Sequence, residues 1–245
     1  MVGMREHVAA FGARPEDDPQ RPLPTPQLAP TEPESFETEG APVDPRSGVP
    51  VTWDGVLAFI VSQVLSPAVL AIAMVMWVAA VSGAAGAWWW AAVYLLASIG
   101  APVVYLLILL RRGWVTDLDV QVRAQRVRPM QFLLGASAIA WLILAIGGAP
   151  TLLLVLAGAL TMVIAFNYAI TLRWKISMHT TFIAAAGTLT WTLTGLLLPL
   201  LLGVPLVAWA RVRLGRHTTA QTIAGGAMGF AVLYVARYLA YRYAI

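Results

Sequence analysis

The sequence predicts an all-α integral membrane protein, a polytopic bundle of six to seven transmembrane helices, and three observations carry that expectation. Apolar residues fill 59% of the 245 positions, charged residues only 11%, and mean hydropathy is +0.75, whereas a soluble domain carries roughly 25% charge. From residue 56 onward, apolar runs of about the 17–25 residues that a bilayer core asks of a helix recur to the C-terminus. Basic residues sit in the short polar joints between those runs. That distribution reads as membrane topology rather than as a nucleic-acid surface. Cysteine is absent, so disulfides and thiolate metal sites are excluded.

Residues 1–50 are a separate regime, holding ten of the sixteen prolines and nine acids against four arginines. Such a stretch buries too little apolar surface to offset its ordering entropy, and it is expected to be a disordered, proline-rich acidic tail. No secretory signal is expected there, because no apolar run occurs in it. Residues 51–245 are the membrane helical domain.

Seven apolar segments follow the tail, at about 56–81, 87–110, 130–146, 150–172, 179–194, 196–210 and 219–241. The run "SGAAGA" (82–87) ends the first, and a polar loop, 111–129, separates the second from the third. "GGAP" (147–150) and Gly195 supply the later breaks. At about 1.5 Å per residue the fifth and sixth segments span only some 25 Å, so they must stand nearly upright or start within the headgroup layer. Seven crossings bring residues 111–129, 173–178 and 211–218 out on one side, with Arg111, Arg112, Arg123, Arg126, Arg128, Arg173, Lys175, Arg211, Arg213 and Arg216. Only Arg237 and Arg242 face the other side. The positive-inside rule makes the basic side, and the tail with it, cytoplasmic in a plasma-membrane protein. Trp114, Trp174 and Trp209 mark that side and Trp88, Trp89 and Trp90 the other, as interfacial belts do.

Three basic clusters therefore share a membrane face: "QVRAQRVRP" (Gln121–Pro129), "WKISMH" (Trp174–His179) and "RVRLGRH" (Arg211–His217). Arginine's planar fork grips phosphate oxygens in pairs, and the free N–H groups of a helix start add donors. Two histidines beside them offer a nucleophile and a proton donor for the leaving oxygen. Outside the tail the carboxylates are Asp54, Asp117 and Asp119, too few and too close together for a Mg²⁺ diphosphate site. No metal and no cofactor are expected.

In order and spacing these clusters resemble the motifs of the type 2 phosphatidic acid phosphatase superfamily, K-x6-R-P, P-S-G-H and S-R-x5-H-x3-D, over roughly residues 121–225. Arg128-Pro129 matches the end of the first motif, Ser177 and His179 the second, and Arg211 and His217 the third. The resemblance implies a phosphatase-like helical core, about 121–242, and a metal-independent lipid phosphatase. His217 would form a phosphohistidine and His179 would protonate the leaving alcohol. Arg128, Arg211 and Ser177 would hold the phosphoryl oxygens. Lys175 is no family position but joins on charge grounds. The chain departs from the pattern at four places. Gln121 stands for the first lysine, where Arg123 or Arg126 could compensate. Ala210 replaces a serine, Met178 a glycine, and Gln221 the final aspartate. On a helix Gln221 lies at i+4 from His217, so its amide oxygen can accept the imidazole N–H.

The expected substrate is a phosphate or diphosphate monoester on a lipid, such as phosphatidic acid, a phosphatidylglycerol phosphate or a polyprenyl diphosphate. The alternative is a non-catalytic membrane protein keeping the fold as a lipid- or anion-binding subunit, or as part of a transport system. Nucleic acid is no expected partner; the bilayer and a lipid phosphate are. An aspartate-rich prenyltransferase is rejected, since it needs paired D-x-x-x-D motifs and the chain has only "DLD" (117–119). Thr188, Thr190, Thr192 and Thr194 read as packing or back-bonding hydroxyls. "GGAMG" (225–229) reads as close helix packing, and Asn167 as a hydrogen bond to a neighbouring helix.

Overall fold

The computed structural model describes residues 52–243 apart from 119 and 121, all within one compact unit. The acidic tail and Gln121 lie outside the described residues. Among the described residues the chain is helical throughout: α1 (Trp53–Val64), α2 (Pro67–Ser82), α3 (Ala87–Leu95), α4 (Ala101–Arg111), α5 (Arg123–Gly147), α6 (Thr151–Thr171), α7 (Met178–Thr194), α8 (Leu198–Arg213) and α9 (Thr219–Tyr243). A π-helical turn, Leu96–Gly100, joins α3 to α4 without interrupting the rod.

Four of these rods are long and apolar enough to cross a membrane: α3–α4 together, α5, α6 and α9. The bent pair α1–α2 makes a fifth if it counts as one span. The outer surface is as greasy as the core, with Ile146 87% exposed and Leu201 60% exposed, which only a hydrocarbon surrounding tolerates over so wide an area.

Two departures from the expected segments have local causes. The first segment breaks at Leu65–Ser66 and bends by 42°. Ser66 accepts from the Val69 N–H at 3.5 Å and Pro67 occupies the first helical position, which is the signature of a fresh helix start. The loop expected at 111–129 closes early, because α5 begins at Arg123. Pro129 lies in the second turn of α5, so it removes only the bond to the Gln125 carbonyl, and the good helix formers before it keep the turn.

The glycine reading of the C-terminal pair holds. A Cβ at Gly225 would lie 2.5 Å from the Ser177 carbonyl oxygen and from Thr180 Oγ1, and one at Gly229 would overlap the Thr181 backbone. Helix α9 can press onto α7 only because both positions lack a side chain. Helix α7 is buried along most of its length, from His179 to Leu189. Its hydroxyls close onto their own helix, Thr188 Oγ1 to the Ala184 carbonyl at 2.7 Å and Thr190 Oγ1 to that of Ala186 at 2.9 Å. Asn167 does the same, contrary to expectation: Nδ2 donates to the Val163 carbonyl of its own helix at 2.9 Å.

Candidate functional site

The joints α4–α5 and α8–α9 and the first turn of α7 supply the polar end of a cavity of about 290 Å³. Arg126, His179, Arg211 and His217 line its polar end, and all four are buried. The two histidines, 38 residues apart in sequence, thus face one hollow.

His217 is the most tightly specified of the four. Its Nδ1 lies 3.0 Å from Gln221 Oε1, and the same oxygen accepts the Thr218 N–H at 3.3 Å. A backbone N–H can only donate, so the atom it meets must be the amide oxygen, and His217 must carry its proton on Nδ1. That leaves the Nε2 lone pair as the reactive one. Thr218 Oγ1 returns a bond by accepting the Gln221 N–H at 3.3 Å. Thr218-Thr219-Ala220-Gln221 is therefore a reciprocal capping box at the start of α9, and the amide that closes it also sets the imidazole. Burial pushes the His217 pKa down to about 3, helped by Arg211 and Arg126 and opposed by the Gln221 hydrogen bond. The ring is uncharged at neutral pH.

His179 sits in the first turn of α7, whose N-cap is Ser177: the Ser177 hydroxyl accepts from the Thr180 N–H at 3.4 Å. Its Nε2 is buried with no hydrogen-bond partner. Arg211, His217 and Arg126 are its charged or titratable neighbours, and the Ser62 backbone is a polar one. Arg211 is 2% exposed and donates from Nη1 to Ser62 Oγ at 2.7 Å. Lys175, half-buried beside this group, has its pKa drawn down to about 8 by burial, then by Arg126, Arg211 and Arg216.

Three residues expected at the site have other work. Arg128 does not line the cavity; its guanidinium stacks over Trp114, 4.6 Å from the ring centroid. Arg126 stands there instead, with Nε donating to the Val120 carbonyl at 2.6 Å. Helical positions two residues apart in sequence lie about 200° apart around the axis, so positions 126 and 128 cannot share a face. Arg123 donates from Nη1 to the Thr171 and Leu172 carbonyls at 3.3 and 2.9 Å, which caps the end of α6. Ser177 is spent as an N-cap, and its N–H goes to the Gln221 carbonyl at 3.4 Å. Met178, where the resembling motif has glycine, lines the cavity.

Sequence reading missed Ser62, which is 1% exposed and 149 residues from the arginine it holds; nothing local marks it. It missed Val120 as well. That residue lines the cavity at φ 45°, a conformation that costs a β-branched side chain about 1–3 kcal/mol, and from there its carbonyl holds the Arg126 guanidinium.

No family model, curated protein or solved structure matches the chain.

Proposed function

We propose that the chain is a metal-independent membrane phosphatase that cleaves a lipid phosphate, or a polyprenyl diphosphate, through a phosphohistidine. The observation that carries this reading is the His217–Gln221 contact beside His179 on the wall of one cavity that also holds two buried guanidinium groups. An uncharged imidazole with Nδ1–H tied back presents its Nε2 lone pair to phosphorus. Arg126 and Arg211 hold the phosphoryl oxygens and take up the charge that grows on them. As the N–P bond forms and the ester P–O bond breaks, His179 gives the leaving oxygen a proton. Water then attacks the phosphohistidine, losing its proton to His179, and inorganic phosphate departs with Nε2 restored. The anion bound between the guanidinium groups is what brings His179 to its protonated form.

This reading includes six or seven crossings in the plasma membrane, with α7 and α8 spanning as a short hairpin and the basic end cytoplasmic. The charge asymmetry supports that orientation. Cysteines introduced at positions 216 and 148 of this cysteine-free chain should label from opposite sides of intact cells, 148 alone reacting with an impermeant reagent.

The enzymatic test is phosphate release from an alkyl phosphate by purified protein without added metal. His217→Ala should abolish it. Release that persists in that variant, or that requires Mg²⁺, sinks the mechanism. One observation favours a second reading, a non-catalytic anion-binding membrane protein: Gln221 orients the imidazole without the negative charge that steadies an imidazolium. Vanadate binding without turnover would select it.

A further inference from the structure

The end of the bundle away from the histidines carries Arg237 and Arg242 and, among the described residues, no acid. Helix α9 starts at Thr219, next to His217. Arg237 lies 18 residues along it (237 − 219), a rise of about 27 Å, close to the ~30 Å of a hydrocarbon core. It lines a small crevice with Leu152 in the first turn of α6 and Leu193 in the last turn of α7. It therefore stands where α6 begins and α7 ends, at the depth where an arginine reaches the headgroup layer.

Among the described residues this guanidinium has no carboxylate and no hydrogen-bond acceptor. Its Nε is sealed from the surface, which leaves recognition to the two Nη groups, and its carbon lies 5.8 Å from the centroid of the Tyr241 ring. Asp54 is spent on Arg213, 2.6 Å away at the opposite end, and Asp117 lies there too, in the loop between α4 and α5. Below Arg237, toward the membrane centre, three rings make a flat wall. Trp191 of α7 stacks with Phe230 and Tyr234 of α9 at 6.2 and 5.9 Å. Those two stack with each other at 5.7 Å, and all the ring planes agree within 17°. Positions 230, 234, 237 and 241 follow the spacing of one helical stripe. Tyr234 and Tyr241 are 45% and 65% exposed, so the stripe faces outward. Tyrosines at a boundary anchor a helix without further purpose, but a cation at their head with no protein anion to meet calls for one from outside.

We propose that Arg237 and the ring stack form a binding site for one anionic phospholipid of the leaflet opposite the histidine cavity. The Nη groups of Arg237 donate to the headgroup phosphate. An acyl chain lies along Tyr234, Phe230 and Trp191, following seven residues of α9 (237 − 230), about 10 Å. A zwitterionic head would bring an ammonium for which this face offers no described carboxylate, so an anionic head is preferred. The site is independent of the phosphatase reading, since it shares no residue with the cavity at the other end.

The chain has no cysteine, so a single fluorophore can be attached through Tyr238→Cys, beside Arg237 at a position 58% exposed. The full chain is placed in phosphatidylcholine nanodiscs with a small, fixed fraction of lipid carrying a nitroxide high on its acyl chain, either phosphatidylglycerol or phosphatidylcholine. Nitroxide quenching is short-ranged, so lipid gathered at the basic end, about 27 Å away, goes unseen. Quenching should report phosphatidylglycerol enriched about fivefold over phosphatidylcholine, the effect of one cation at the membrane surface. Arg237→Gln should abolish that preference. Arg237→Lys should keep most of it, which also shows that a change at this position leaves the protein folded. A fluorophore at Ala84→Cys, in the α2–α3 loop at the same end of the bundle, should report less than twofold enrichment. Equal quenching by the two lipids at position 238 overturns the proposal, and so does a preference that survives Arg237→Gln or appears equally at position 84. Weak quenching by both lipids, with energy transfer between labelled copies sharing a disc, gives the stripe to a second copy of the chain and overturns it as well.

Discussion

Replacing Gln221 by glutamate isolates what the side chain does for the neighbouring imidazole. Glutamate keeps an acceptor at the position 3.0 Å from His217 Nδ1 and next to the Thr218 N–H, and it adds a negative charge. An opposite charge at that range raises a histidine pKa by about one to three units, so His217 should climb from about 3 to roughly 4–6. One unit corresponds to about 1.4 kcal/mol, so the imidazolium gains ~1.4–4 kcal/mol. Whatever fraction the transition state feels multiplies phosphate release, up to about 10³-fold. Competition from Arg211 and Arg126 for the new carboxylate puts the expected gain at the lower end, about tenfold. Gln221→Leu works in the opposite direction. The imidazole loses the acceptor that fixes its tautomer, which should cost ~10²–10⁴ in turnover, and the first turn of α9 loses a cap worth about 1 kcal/mol. The assay is initial-rate phosphate release against pH on detergent-solubilised protein, with thermal unfolding of each variant alongside. If Gln221→Glu is no faster and its acid limb does not move, while Gln221→Leu turns over like the wild type, the side chain is a helix cap and the tautomer argument fails.

Other substitutions test other parts of the site. Arg126→Gln should weaken phosphate binding at least tenfold while Arg128→Gln changes it less than twofold (a lost charge-assisted hydrogen bond against a lost surface contact); calorimetry showing the reverse order would restore the motif reading of Arg128. Lys175 is cationic below its pKa of about 8 and neutral above it, so affinity for sulfate, doubly charged across this range, should drop as pH rises through 8. Lys175→Met should flatten that limb and Lys175→Arg should hold the high-affinity plateau; a limb that survives Lys175→Met assigns it elsewhere. Gly229→Ala should destabilise the protein by about 1–3 kcal/mol, since the added methyl overlaps the Thr181 backbone, and an unchanged melting temperature would show that α9 does not approach α7 so closely.

Much of this architecture is legible in the sequence because apolar length and glycine breaks are local signals. The sixth and seventh segments, expected at 196–210 and 219–241, are helices Leu198–Arg213 and Thr219–Tyr243. His179, Arg211, His217 and the i+4 position of Gln221 are legible for the same reason, since short spacing fixes them on helix ends. Arg126 is harder. Choosing it over Arg128 requires knowing that the helix runs through Pro129. Once it does, Arg126 falls on the stripe of Met130, Ser137, Ala140 and Leu144, the buried face of α5. Ser62 is illegible, because its link to Arg211 is purely tertiary, and so is the π-helical turn, which no residue type marks.

The 17 residues of α7 and 16 of α8 give rods of about 24–26 Å, some 5 Å short of the hydrocarbon they must cross in the proposed topology. Lipids around a hairpin that short adapt by thinning, and its connecting loops sink with them. In that topology such a dimple would lower the water boundary toward the His179 end of α7, where the proposed hydrolysis would need a solvent molecule that a bilayer of full thickness would keep farther away.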